Sequence, residues 1–151
     1  MPSVRLATGD DAEHVARLMI AFRNWTNRSE PGDDSFRASV RRLLEDPNTE
    51  YLLGGDPPAG VVQLRFRYGI WYAAPDCWLE DLYVSDGARG SGLGRALVEA
   101  AFARARERGC ARVELDVNEA NEPAIALYEA LGFSSGSGEF DGRNLLMRLK
   151  L

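Results

Sequence analysis

The spacing of apolar and polar residues predicts one strand and two helices in the first third of the chain. Residues 4–7 alternate like a short strand, and residues 8–11 supply a turn and a helix N-cap. Apolar side chains at helical spacing then continue to about residue 24, at Val15, Leu18, Met19 and Phe22. A polar loop over 27–34 precedes a second helix predicted over 35–45.

The rest of the chain predicts a hairpin followed by a β-α-β unit. Strands over 51–53 and 61–68 flank the turn at 54–58, and a third strand covers 77–84. A helix over 93–108 and a strand over 112–117 follow, which predicts that this strand lies parallel to the one at 77–84. A helix over 123–131 comes next. The predicted order is β-α-α-β-β-β-α-β-α-β-β, an α/β arrangement with two strands after the last helix, of which the second covers 144–151.

Composition narrows the class of protein. The 151 residues, of which 45% are hydrophobic, suit a single domain spanning 1–151. A net charge of -5 and a pI near 5.0 argue against a nucleic-acid partner. Two cysteines (Cys77 and Cys110), a single histidine (His14) and no long apolar run predict no metal site, no membrane span and a cytoplasmic location.

A glycine-rich segment carries the clearest chemistry. Arg89-Gly90-Ser91-Gly92-Leu93-Gly94 lies between the predicted strand 77–84 and the next helix. Glycines allow a tight turn whose N–H groups face an oxyanion, and the helix N-terminus and Arg89 add positive charge. The spacing fits neither a dinucleotide fingerprint, because position 95 is Arg, nor a Walker loop, because Leu93 stands where Lys is needed. We therefore predict a different polyphosphate-bearing cofactor.

Three segments together resemble the GNAT superfamily of N-acetyltransferases. They are Leu79-Glu80-Asp81-Leu82-Tyr83-Val84, the glycine segment, and Asn121 with Ala124, Tyr128, Leu131, Gly132 and Phe133. The resemblance implies a three-layer fold with a mixed central sheet and helices on both faces, and acetyl-CoA as co-substrate. It also implies that the strand at 77–84 splays from the strand at 112–117 to admit the acyl chain.

The same resemblance assigns the cofactor contacts. Backbone amides from Gly90 to Arg95 would bind the pyrophosphate, the strand edge at Leu82–Val84 would pair with pantetheine, and Asn121 would contact the pantetheine arm. The implied cofactor-binding set is Leu82, Tyr83, Val84, Arg89, Gly90, Ser91, Gly92, Leu93, Gly94, Arg95 and Asn121.

Acetylation of an amine needs a base and benefits from an acid, because a primary ammonium is mostly protonated at neutral pH. Glu80 is the predicted general base, acting through a water, and Tyr128 is the predicted general acid at the cofactor sulfur. In a regular strand, residues 78, 80, 82 and 84 face one side and 79, 81 and 83 the other. Glu80 and Asp81 can then share a site only if a bulge intervenes.

The acceptor prediction rests on a closer similarity to the diamine (spermidine/spermine) and thialysine acetyltransferase branch. By that similarity Trp71 would line an acceptor channel, and Asp81 and Glu80 would bind a small cationic amine. Glu30, Asp33 and Asp34 in the loop between the first two helices would add negative charge. The chain departs from the branch over 134–141.

Other acceptors and roles stay open. Amino acids, peptide amines, antibiotic-like amines and protein lysines or N-termini are alternative acceptors, and a catalytically silent CoA-binding module is an alternative of another class. Many relatives are dimers, and we expect a homodimer to which the strand predicted over 144–151 contributes.

Overall fold

The computed structural model describes residues 2–135 and 144–151. The chain divides into two compact units, residues 1–116 and 117–151. In chain order the elements are β1 (Val4–Leu6), α1 (Ala12–Trp25), α2 (Asp33–Glu45), β2 (Thr49–Gly54), β3 (Gly60–Gly69), β4 (Ala74–Val84), α3 (Leu93–Glu107), β5 (Arg112–Glu114) and α4 (Glu122–Ala130). Short 3-10 turns cover Gly9–Asp11 and Asp86–Ala88. The single domain over 1–151 stays a prediction.

The first unit is built on one mixed sheet with the strand order β1-β2-β3-β4-β5. Neighbouring strands from β1 to β4 pair antiparallel, and β5 pairs parallel to β4. The predicted hairpin and the predicted parallel β-α-β unit are therefore both confirmed, as is the α/β class. The main change in boundary is at β5, which ends at Glu114 rather than at residue 117.

Helices cover both faces of the sheet, as expected. Alternate residues of β2 and β3 point to opposite sides: Leu53 and Val61 join the buried cluster formed with α1 and α2. On the other face α3 approaches two paired glycines, Gly54 and Gly60. A Cβ at Gly54 would lie 2.5 Å from Leu93 Cδ1, so glycine is what allows this close contact. The first turn of α3 is thereby fixed against the sheet.

A β-bulge in β4 corrects the simple alternation expected for residues 78–84. Asp81 pairs with Gln63 and Leu79 pairs with the next residue, Leu64, so Glu80 is an extra residue without a partner on β3. Because Gln63 and Leu64 face opposite sides of the sheet, so do Asp81 and Leu79. Asp81 therefore shares the α1–α2 face with Tyr83, a member of the cluster there.

The strand predicted over 144–151 is not present, since these residues have no regular secondary structure. An apolar run forms a stable strand only when a neighbouring strand completes its backbone hydrogen bonds, and here no such pairing occurs within the described residues. All of these residues are exposed, including five with large apolar side chains: Leu145, Leu146, Met147, Leu149 and Leu151. The predicted order also has a strand between the last helix and residue 144, and residues 136–143 of that interval lie outside the described residues.

Candidate active site

The glycine-rich segment forms an open loop between β4 and α3. Gly90 and Gly92 have φ values of +77° and +84°, and nothing lies within 4 Å of a Cβ built on either. Glycine is thus required here for its backbone conformation and not for space. Gly92 is the N-cap of α3, so the first amides of that helix have no partner within it. Exposed amides beside a helix N-terminus make a cradle suited to an anion.

Arg89 turns its side chain back toward the end of β4. Its Nε donates to the Val84 carbonyl at 3.0 Å, and its Nη1 lies 2.9 Å from Asp86 Oδ1. Its guanidinium also lies over the rings of Trp25 and Tyr83, at 5.2 and 5.8 Å from their centroids. The cation therefore stands next to the strand residues predicted to meet the cofactor.

The edge of β4 toward β5 opens along its length. β5 pairs with β4 only at Asp76, Cys77 and Trp78, where Arg112 also lies 3.1 Å from Asp76. Past Trp78, β4 has no paired strand on that side in the described part of the chain. The Leu82–Val84 edge therefore leaves room for an extended ligand to hydrogen-bond to its backbone.

The two adjacent carboxylates of β4 differ in environment. Glu80, on the bulge, is exposed to solvent. Asp81 is half-buried, and burial, with smaller contributions from the charges of Glu80 and Asp116, raises its pKa to about 6. Asp81 ends a row of paired residues across the sheet, Tyr51–Gln63–Asp81, and burial likewise raises the pKa of Tyr51.

Asp81 opens onto a cavity of about 200 Å³. Asp81 is the lining residue that comes from the sheet, whereas the others come from α1, the α1–α2 loop and α2. The apolar lining residues are Met19, Phe22, Pro31 and Phe36, and the polar ones are Arg23, Thr26, Arg28, Glu30 and Asp81. A half-buried carboxyl facing a partly apolar cavity that opens to solvent is suited to accept a proton from a small bound amine.

The profile of the acetyltransferase (GNAT) family matches residues 18–133 of this chain. The chain belongs to the acetyltransferase (GNAT) family. The family uses acetyl-CoA.

Individual GNAT relatives differ in the compounds for which they are named. A mycothiol acetyltransferase of Beutenbergia cavernae is 33% identical over 137 residues, which cover 87% of this chain and 44% of that protein. The chain therefore spans less than half of that relative. A thialysine N-epsilon-acetyltransferase of Bos taurus is 35% identical over 149 residues, covering 85% of this chain and 82% of the relative.

Among solved structures, one from Arthrobacter sp. FB24, assigned to the acetyltransferases, has a TM-score of 0.88 and 34% identity. That likeness covers 100% of this chain and 96% of the other. The GNAT fold is therefore shown over the chain, and the resemblance to the thialysine branch has a counterpart among the relatives.

Not every residue expected at the GNAT acceptor site lies at the cavity. Trp71 is 92% exposed in the turn between β3 and β4 and does not line the cavity. At about 3.3 Å per residue, the stretch of β4 from Ala74 to Asp81 alone spans about 23 Å, so Trp71 and Asp81 are not brought together in one chain. Of the acidic loop residues, Glu30 lines the cavity, whereas Asp33 pairs with Arg23 at 2.6 Å.

The second unit holds the two remaining GNAT motif residues in local structural contacts. Asn121 is the N-cap of α4, and its Oδ1 accepts a hydrogen bond from the Ala124 amide at 3.3 Å. Tyr128 is buried and its ring meets that of Phe133 edge to face, with centroids 5.6 Å apart. Contacts of Asn121 with pantetheine and of Tyr128 with the cofactor sulfur stay predictions.

Neither cysteine has the environment of a nucleophile. Cys77 is fully buried, and burial raises the pKa of its thiol to about 12. Burial also raises the pKa of Cys110. Both thiols are therefore protonated at neutral pH, which disfavours a covalent enzyme intermediate.

Two further observations concern metals and membranes. Among residues 2–135 and 144–151 no group of three His, Cys, Asp or Glu side chains has the arrangement of a metal site. No helix in these same ranges has the length and apolarity that crossing a bilayer requires.

Several cavity residues were not predicted from sequence. The cavity that Asp81 lines is also lined by Phe22, Arg28 and Phe36, which α1, the α1–α2 loop and α2 bring there. The charge of Asp116, which follows β5, contributes to the raised pKa of Asp81. No local motif marks any of these positions.

Proposed function

We propose that this chain transfers the acetyl group of acetyl-CoA directly to the primary amine of a small cationic molecule. The observation that carries the proposal is the course of β4: its open edge runs from Asp81, which lines the cavity, to Val84, which precedes the anion cradle. A ligand bound along this edge from the cradle would bring its far end near the cavity.

The cradle fits the cofactor that the family uses. Exposed amides at positive-φ glycines and the free first amides of α3 match a pyrophosphate, and the unpaired edge at Leu82–Val84 matches the amides of pantetheine. Bound acetyl-CoA would supply the acetyl group as a thioester, and its transfer to an amine leaves an amide and a free thiol. To contact the phosphates, the Arg89 side chain would give up its hydrogen bond to the Val84 carbonyl.

Two carboxylates are candidates for the general base. Asp81 is favoured as the first proton acceptor because it lines the cavity and its pKa near 6 lets it be ionised, yet basic enough, at neutral pH. Glu80, exposed beside it on the bulge, is the second candidate and would act through a water. Tyr128 would supply the proton at the sulfur, and the Val84 amide would donate a hydrogen bond to the thioester carbonyl.

Cavity size supports a small acceptor over a folded protein or a large antibiotic. About 200 Å³ is below the ~300–1,000 Å³ usual for sites that enclose drug-sized ligands. A protein lysine could enter only as a single side chain, and it stays the second candidate acceptor.

The deciding experiment measures thiol release from acetyl-CoA with a panel of amines, together with cofactor binding by calorimetry. We expect release that depends on the amine and falls in Tyr128→Phe. Cofactor binding without release for any amine would instead identify a silent CoA-binding module.

We further propose a cytoplasmic homodimer. The exposed apolar side chains over 144–151 support self-association, because exposed apolar clusters are typical of interfaces. Light scattering of the full chain should give twice the monomer mass, and a variant ending at residue 143 should lose part of the dimer. A full chain that stays monomeric at high concentration would contradict this.

A further inference from the structure

The side chain of Arg23 connects the last turn of α1 to the start of α2. Its Nη1 donates to the Pro31 carbonyl at 2.8 Å, and its Nη2 donates to Asp33 Oδ1 at 2.6 Å. The guanidinium also lies over the Phe36 ring, 5.2 Å from its centroid, and only 8% of the side chain is exposed. Charge-assisted hydrogen bonds on two edges and a ring on one face hold the guanidinium in one orientation. Arg23 therefore fixes the α2 end of the α1–α2 loop.

The backbone of the same residue fixes the other end of the loop. The Arg23 carbonyl accepts hydrogen bonds from the Arg28 amide at 3.3 Å and from the Thr26 hydroxyl at 2.7 Å. Asn27, with φ +59°, donates its amide to the Asn24 carbonyl at 3.0 Å. These contacts form a Schellman motif, in which a residue in the left-handed conformation ends the helix and the chain turns back over its last turn. The chain therefore leaves α1 in a defined direction.

The loop held at these two ends forms one wall of the cavity. Arg28, Glu30 and Pro31 line the cavity from the loop, and Arg23 lines it from α1. Arg28 and Glu30 are exposed, so their place at the cavity depends on the course of the loop backbone. The opposite contribution, Asp81, belongs to the sheet and does not depend on the loop. The shape of the cavity is thus set by how firmly Arg23 holds the loop.

We infer that Arg23 is a positioning residue for the acceptor amine, because it holds both ends of the α1–α2 loop, residues 26–32, in the conformation that closes the cavity wall. The inference rests on the proposed function and adds a residue that acts through the loop and not on the reacting atoms. A loop already in its binding conformation spares the ligand the cost of ordering it. If the loop is released, the apparent affinity falls in proportion to the fraction of molecules that keep this conformation.

The charge of Arg23 alone would have the opposite effect. A guanidinium that lines the cavity repels a cationic amine, so its removal would strengthen amine binding if Arg23 acted through its charge. Loss of the two loop attachments would instead weaken amine binding. The direction of the change in KM for the amine therefore separates a positioning role from an electrostatic one.

The experiment measures thiol release by Arg23→Gln with the amine of the panel that the wild type turns over fastest. We expect KM for the amine to rise by about ten- to hundredfold, the equilibrium value of one or two hydrogen bonds to a charged group. kcat and KM for acetyl-CoA should each change by less than about twofold, because the variant leaves Asp81 and the cradle in place. Arg23→Lys should recover part of the affinity, since an ammonium keeps the charge but lacks the planar fork.

Asn27 gives a second way to release the loop without changing any charge or any residue that lines the cavity. Asn27→Val places a β-branched residue at φ +59°, which disfavours the turn at the end of α1, and should raise KM for the amine as Arg23→Gln does. Asn27→Gly allows the same φ and should leave KM unchanged.

Arg37→Gln is the matched control for the loss of an arginine. Arg37 lies 3.6 Å from Asp34, the residue after Asp33, and it is outside the cavity. Its removal should change neither KM. Thermal melts of all variants report whether the fold is retained.

Three outcomes would overturn the inference while leaving the proposed function intact: an unchanged or lower KM for the amine in Arg23→Gln, a fall confined to kcat, or an equal rise in KM for acetyl-CoA. Should no amine be turned over, the proposed function fails. Calorimetry of the same amines would then test the inference by itself. Weaker binding to Arg23→Gln, with faster hydrogen exchange over 26–32, would support it, and equal binding, or none to either protein, would reject it.

Discussion

The cofactor cradle and the acceptor cavity meet at β4 but are built from different parts of the polypeptide. The cradle is a run of consecutive residues, 89–94, and offers backbone amides. The cavity collects side chains from α1, the α1–α2 loop, α2 and β4, positions up to 62 residues apart between Met19 and Asp81. A site made of backbone depends on conformation and tolerates many side chains, whereas a site made of side chains changes its ligand with each substitution.

That contrast predicts separable effects on chemistry and on cofactor binding. Asp81→Asn should lower kcat/KM for the amine by about 10²- to 10⁴-fold, the usual contribution of a general base, because Asn cannot take up the proton. Thiol release measures the rate, and calorimetry should show cofactor affinity unchanged. Glu80→Gln is the comparison variant. A larger loss in Glu80→Gln than in Asp81→Asn would make Glu80 the base.

On the cradle side, Gly92→Val should raise KM for acetyl-CoA by about ten- to hundredfold. A β-branched residue at φ +84° is strained by about 1–2 kcal/mol or more, so the loop would move away from the cradle geometry. Steady-state kinetics with acetyl-CoA varied would measure this. Gly87→Ala is the control, since Gly87 has an ordinary φ and open space around its α-carbon. Equal effects of the two substitutions would argue against a backbone cradle.

The cavity carboxyl should also set how the rate depends on pH, because it should cause kcat/KM to fall at low pH, which is the acid limb of the pH profile. With a pKa of about 6, Asp81 is protonated below that pH and cannot act as a base. kcat/KM for the amine should therefore fall about tenfold per pH unit below pH 6, whereas cofactor affinity should change little between pH 5 and 7. Asp81→Glu should keep an acid limb, and Asp81→Asn should lose it. If kcat/KM of Asp81→Asn still falls below pH 6, a group other than Asp81 causes the fall.

The smallest effect concerns stability. Because the folded protein raises the pKa of Asp81 from 3.8 to about 6, the protonated form favours folding, and this contribution is lost as the pH rises through 6. Ionised Asp81 thus destabilises the fold at pH 8, on the order of 1–2 kcal/mol after allowing for partial solvation. Asp81→Asn should raise the Tm by a few degrees at pH 8 and by less at pH 4. An unchanged Tm at both values would contradict the burial of this carboxyl.

The same contrast separates what the sequence could and could not predict. Neighbouring residues encode the helix and strand periods, the parallel β-α-β unit and the glycine-rich loop. The structure has these elements close to their predicted positions. Glu80 and Asp81 were recognised as candidates, but the bulge that separates their environments depends on pairing with β3. The strand predicted over 144–151 was wrong, because a strand also needs a neighbouring strand to pair with, and the spacing of apolar residues does not show whether one is present.

For the cavity, sequence gave Asp81 and Glu30 but neither Arg28 nor the distinction between it and Arg23. No motif distinguishes these two arginines in the sequence. The packing of α1 and α2 on the sheet holds Arg23 against Pro31 and Asp33 and leaves Arg28 exposed at the cavity. The distance of Trp71 from the cavity could not be predicted from the sequence either. Trp71 and Asp81 lie close in sequence, but Trp71 is in the hairpin turn and about 23 Å of strand separates it from Asp81.

The edge of β4 past Trp78, which has no paired strand in the described part of the chain, also bears on the handling of the protein. Unpaired N–H and C=O groups of a strand are a template on which a strand of another molecule can add. Preparations without ligand would therefore associate edge to edge on concentration, and CoA in the buffer would cover the edge and suppress it.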